Sequence, residues 1–117
     1  MLDALQQLMN AQTLAETGDS ESVVDLGVGF APTPDKAARL DMNVTALDAV
    51  TGNETYTAEV QESDDLQAWT ATGLLLTVAA VGQISKLFSA TKRYQKLVWT
   101  LGGTTPSVTA SAWISLP

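Results

Sequence analysis

Glu62, Asp64 and Asp65 place three carboxylates within one short stretch, the densest grouping of reactive side chains in the chain. Hard oxygen ligands at a turn are what calcium takes, and a pair of carboxylates at the right separation cleaves glycosidic bonds. The spacing is not that of an EF-hand loop, and Ser63-Asp64-Asp65 is also ordinary turn chemistry. The turn reading takes precedence over a metal site, and one short cluster says nothing about the separation a glycosidase needs. The sequence of 117 residues holds no histidine and no cysteine. Ser-His-Asp and Cys-His constellations, thiolate metal sites and histidine-based zinc sites are therefore excluded. An enzyme is not expected, and no cofactor is implied.

Charge is divided along the chain. All 13 acidic residues lie at or before Asp65, where Lys36 and Arg39 are the only cations, giving −11. Lys86, Lys92, Arg93 and Lys96 follow and give +4, for a net charge of −7. Complementary fields of this kind set orientation and speed encounter for a subunit docking onto a charged surface. Acidic residues filling solvated loops would give the same division. Lys92, Arg93 and Lys96, with Lys86 nearby, form a basic patch with two readings. Lysines at a strand edge block unwanted pairing, and the same patch suits contact with an acidic partner or an acidic neighbouring copy. The pI near 4.2 argues against a nucleic-acid partner, since phosphate contacts need clustered Lys and Arg.

These side chains must be carried by strands. Leu40, Met42, Val44 and Ala46 alternate with polar residues, as do Tyr56, Ala58 and Val60. So do Leu97, Trp99 and Leu101, and Val108, Ala110, Ala112 and Ile114. A period of two predicts strands with one face on a core. Shorter strands are expected at 23–26 and 87–90, and the apolar run 74–81 reads as a strand covered on both faces. Turns are expected at 50–53 and 102–107, and Pro32 and Pro34 mark a rigid loop. Leu2, Leu5, Leu8 and Met9 recur at helical spacing, predicting a short N-terminal arm or helix over residues 1–12. The whole reads as one all-β domain over residues 1–117, an antiparallel β-sandwich or jelly roll of about eight short strands. Trp99 falls in the core phase. Trp113 falls on the opposite phase from Ile114 and faces outward, as an interface anchor or sugar platform. Trp69, after the acidic turn, suits either role. Residues 1–12 lack the basic start of a signal peptide, and no apolar run is long enough for a membrane helix. A soluble intracellular product without membrane partners is expected.

Several separated segments together resemble one family. They are Gln12 with Val23-Val24-Asp25-Leu26-Gly27, then Glu59-Val60-Gln61-Glu62-Ser63-Asp64-Asp65, then Arg93-Tyr94 and Leu97. The last runs from Gly102-Gly103-Thr104-Thr105-Pro106 to Ser107-Val108-Thr109-Ala110-Ser111-Ala112. In these the chain resembles the small cement, or decoration, proteins of tailed-bacteriophage capsids, of the kind first described for a Bordetella phage. The leucine-spaced arm and the Pro32/Pro34 loop depart from that pattern. The resemblance implies a jelly roll on the capsid exterior of a virion, made in the host bacterial cytoplasm. It implies partners in the major capsid protein and in a second copy, as a homodimer at two-fold positions or, alternatively, a trimer. The expected interface residues are Leu2, Leu5 and Leu8 of the arm with Lys92, Arg93, Lys96 and Trp113. The alternatives are a carbohydrate-binding jelly roll using Trp113 or Trp69 with calcium at the acidic turn, and a phage tail or adhesin component.

Overall fold

The computed structural model describes residues 7–27 and 37–115. Its strands are β1 (Gln7–Leu14), β2 (Gly18–Asp19), β3 (Val24–Asp25), β4 (Ala38–Leu47), β5 (Thr55–Ser63), β6 (Thr70–Thr77), β7 (Gly82–Phe88), β8 (Tyr94–Gly102) and β9 (Val108–Ser115). The described residues contain no helix. One sheet has the order β1-β9-β4-β7; the other has β2-β8-β5-β6, with β3 also paired to β8. Since β2 and β3 follow one another along β8, they act as a single interrupted strand. The pairing then joins first strand to last, second to second-last, third to third-last, and closes on the β5–β6 hairpin. One long antiparallel hairpin has been wound into two facing sheets, which is a jelly roll.

Alternation does most of the work. Ala38, Leu40, Met42 and Val44 of β4, Tyr56, Ala58 and Val60 of β5, and Leu97 and Trp99 of β8 are buried between the sheets. Val108, Ala110, Ala112 and Ile114 of β9 complete the layer. Each large aliphatic side chain so buried contributes roughly 1.5–3 kcal/mol. Trp99 is the largest fully buried side chain. Its neighbour across the ladder is the small Ala58, which leaves room for the indole. Its Nε1–H donates to Met9 Sδ at 3.2 Å, so the indole's polar atom is partnered in the core.

Bulges overturn some expectations. From Gln7 onward the leucine-spaced segment is strand, and Leu8 is fully buried in the core instead of reaching a neighbour. The register between β1 and β9 skips between Gln7 and Met9, so consecutive residues Leu8 and Met9 both face inward and imitate helical spacing. A second skip follows, where Ala11 takes a φ of 49° and its N–H is held by Ser111 Oγ at 2.9 Å. Leu2, Leu5 and the Pro32/Pro34 loop lie outside the described residues. Ala46 is exposed because the β4–β9 register skips after Val44. The run 74–81 is not covered on both faces: β6 ends at Thr77 on a sheet edge. Leu75 and Val81 stand 61% and 59% exposed.

The turn 103–107 closes against the turn 48–54. Thr51 and Thr105 hydroxyls lie 3.2 Å apart, and Asn53 Nδ2 donates to Thr104 Oγ1 at 2.9 Å. Tyr56 Oη bonds the carbonyl of Asp48 and accepts the N–H of Ser107 at 2.9 Å. Gly103 sits at the tightest point with a φ of +100°, and a Cβ there would meet Glu54 Cα at 2.6 Å. Gly103→Ala is expected to lower stability by about 2 kcal/mol or more. Urea unfolding should show this as a lower midpoint with an unchanged slope; an unmoved midpoint would mean that the two turns are not locked together.

Candidate functional site

Glu62 continues the inward phase of Tyr56, Ala58 and Val60, so its carboxylate enters the protein. It is only 5% exposed. Four donors meet it there. The backbone N–H of Thr91 donates to Oε1 at 2.8 Å and that of Lys92 at 3.1 Å. Gln95 Nε2 donates at 3.1 Å, and the Thr91 hydroxyl binds Oε2. Glu62 and Gln95 are ladder partners, so two polar residues at inward positions of adjacent strands face one another. Sequence reasoning missed this pair, although continuing the two alternations by one step on each strand would have found it.

Asp65 serves its own turn. Its Oδ1 accepts the N–H groups of Gln67 at 2.9 Å and Ala68 at 3.0 Å and the Ser63 hydroxyl at 3.0 Å. The Ala68 and Gln67 N–H groups, then the Ser63 hydroxyl, hold its carboxyl below the ordinary aspartate value. Asp64 is exposed. The three carboxylates therefore do not converge: one enters the protein and one caps a turn. Among the described residues no acidic cluster has the form of a metal site. The adjacency that suggests calcium is turn and loop structure.

The basic patch is engaged within the chain. Arg93 grips Asp25 of β3 through Nε and Nη2, at 2.6 and 2.8 Å. That guanidinium, followed by the N–H of Gly27, lowers the Asp25 carboxyl from its ordinary value. Lys96 reaches Asp19 of β2 at 2.9 Å and lies 4.5 Å from the centre of the Trp69 ring. Two of the three cations expected at an interface thus fasten the interrupted strand onto β8. Lys92 takes part in none of the described ion pairs, but its backbone is fixed on Glu62.

The tryptophans separate as their phases predict. Trp99 is core, and Trp69 is half-buried beneath Lys96. Trp113 is half-buried on the outer face of the β1-β9-β4-β7 sheet, with Gln7 and Asp41 as ladder neighbours. Asp41, on the polar phase of β4, is buried there: it takes Arg39 Nε at 2.9 Å and the Ser85 hydroxyl at 2.6 Å. Arg39 is the ladder partner of Leu87, which is 58% exposed. Trp113, Arg39 and Leu87 thus share one sheet face.

Comparison with protein-family models returns no match, and comparison with curated protein sequences returns none.

Two measurements test this account. Glu62→Ala strands four donors and is expected to cost about 3–5 kcal/mol, whereas Glu62→Gln, which keeps the shape and an acceptor, costs less. Equal unfolding midpoints for the two variants would show that the loop does not depend on this side chain. Asp25 and Asp65 both have depressed folded-state values, so their contribution is present above the unfolded aspartate value near 4 and is lost as pH falls through the depressed values. The melting temperature should therefore drop on acidification below about pH 4. Asp25→Asn should flatten that drop; an unchanged slope would mean that the Arg93 pair does not contribute.

Proposed function

We propose that the chain is a structural virion protein, a capsid cement or decoration protein that binds the outside of a bacteriophage head and bridges its capsomers. One observation carries the reading: the scattered segments that resemble the cement proteins come together in two groups, one on each sheet. Asp25 binds Arg93, Tyr94 is the ladder partner of Ser63, and Gln12 is that of Ala110. The resemblance thus falls on residues that hold one another in place.

The fold class favours the same role. Jelly rolls serve as viral capsid domains, lectins and cupins. A cupin centre uses histidine, which this chain lacks. A sugar platform needs an open ring: Trp69 has Lys96 against it, which leaves the half-buried Trp113 as the ring that the sugar-binding reading would use. A cement protein needs a rigid body and several modest contacts, which add through avidity across a lattice.

In this reading the second partner is another copy, in a homodimer at two-fold positions. Trp113 is its anchor, with Arg39 and Leu87 on the same sheet face, since tryptophan and arginine dominate binding energy at interfaces. Lys92, beside the fixed loop 89–93, remains a contact candidate on the same reading.

The test is cosedimentation of the protein with heads of the encoding phage stripped of it, over a salt series. Saturable binding at a fixed ratio to the major capsid protein is expected. Absence of binding at every salt concentration would remove the reading. Trp113→Ala is expected to weaken self-association by about 2 kcal/mol or more while the monomer stays folded; a variant that unfolds would place Trp113 in the structural set instead.

A further inference from the structure

The two ends of the sandwich differ in chemistry. One end is built from the turns 15–17, 48–54, 78–81 and 103–107, which the winding brings together. Its acidic residues are Glu16, Asp48 and Glu54, and it contains no Lys or Arg. The described cations lie away from it: Lys92 and Arg93 in the turn before β8, Lys96 near the start of that strand, Arg39 early in β4 and Lys86 late in β7.

This end also exposes aliphatic surface that the fold does not use. Val50, at the tip of the turn 48–54, is 93% exposed, and Val81 is 59% exposed. Ala49, Ala79 and Ala80 are exposed beside them. Between the turns lies a pocket of about 330 Å³ whose wall is formed by Leu47, Ala49, Tyr56, Val78 and Ala79 together with three threonines and Glu54. A β-branched aliphatic at a loop tip contributes nothing to this chain's own packing. The backbone around it is nevertheless fixed: Val50 N–H is held by Asp48 Oδ1 at 3.0 Å and Gly52 N–H by Glu54 Oε1 at 3.1 Å. An apolar surface held rigid at an exposed tip is arranged for contact.

We infer that this end is the surface on which a loop of a shell subunit docks, a loop carrying an aliphatic side chain next to Lys or Arg. The pocket takes the aliphatic group, Val50 and Val81 flank it, and Glu54 faces the cation. Charge selects the occupant: an acidic loop would meet the carboxylates of Asp48 and Glu54 in the turn beside the pocket, with no Lys or Arg in the turns of this end, and a second copy docked by the same end would bring those carboxylates against themselves. The identity of the partner rests on the cement reading; the chemistry of the loop rests on the surface.

Full-length protein is titrated with the peptide acetyl-Arg-Leu-Arg-amide and with acetyl-Glu-Leu-Glu-amide, following backbone amide shifts by NMR. The basic peptide should move signals from residues 47–57 and 77–82 at concentrations where the acidic one moves none. No response there, or an equal response to both peptides, overturns the inference. On stripped heads, Val50→Asp should bind about tenfold more weakly than wild type with an unchanged circular dichroism spectrum. Wild-type affinity in Val50→Asp overturns the inference while the cement reading stands. Peptide shifts at this end with no binding of the wild type to heads remove the shell subunit as the partner, and the cement reading with it.

Discussion

A carboxylate that leaves water must be met by donors, and Glu62 enters the protein at the point where four of them converge. Desolvation makes such a group costly unless every lone pair is used. The Thr91 and Lys92 N–H groups can reach it only if residues 89–93 fold back over β5, and Gln95 only if β8 lies in its observed register. The interaction therefore fixes the turn that delivers Arg93, and through it the grip on Asp25 and the placement of β3. A slip of one residue between β5 and β8 would replace Gln95 by a neighbour and take its donor from Glu62 while turning the inward set of β8 outward. The polar pair and the apolar alternation thus demand the same register, and agreement of that kind specifies a single structure.

Two of the four cations in the second half of the sequence, Arg93 and Lys96, are paired with aspartates of the first half. Asp19 and Asp25 precede the boundary and Arg93 and Lys96 follow it; winding the hairpin lays them side by side on β2, β3 and β8. Exposed ion pairs contribute little individually. Here their effect is positional: β2 and β3 have two residues each, and the ion pairs add to the few backbone bonds and the buried Val24 that hold the segment on β8. Once those cations are engaged, what remains at the end formed by the turns 48–54 and 78–81 is acidic. The field presented to a partner is therefore not the one the linear sequence suggests.

The strands and their faces are legible in the sequence because a period of two is a direct consequence of the pleat. Val108, Ala110, Ala112 and Ile114 alternate without a break, and all four are buried. The misreadings fall where the period is interrupted. Leu8 and Met9 look helical because a bulge turns neighbouring residues to one side, and Ala46 leaves the core at another bulge. A bulge is chosen by the partner strand, and β1 and β9 are separated by most of the chain, so no local window contains the information. The acidic cluster misleads for a related reason: Glu62, Asp64 and Asp65 are adjacent in sequence, but a strand ends among them, and its last inward position belongs to a different environment from the turn that follows. Asp41 looks solvated because its cover, Arg39 and Ser85, arrives partly from β7. Trp113, by contrast, is placed correctly by phase alone.

Loops distant in sequence become one surface through the winding itself. Residues 48–54 and 103–107 lie about half the chain apart, yet Thr51 meets Thr105, Asn53 meets Thr104, and Tyr56 ties both turns to the core. Ordering these turns is done on folding, so a partner would not have to supply that entropy on binding. On the proposed cement reading, a lattice-binding subunit would gain from this arrangement. Each contact is small, and the avidity that sums them depends on geometry that holds all sites simultaneously in reach. On the proposed capsid-binding reading a flexible loop tip would dissipate that gain, whereas Val50 presented from a hydrogen-bonded turn would preserve it.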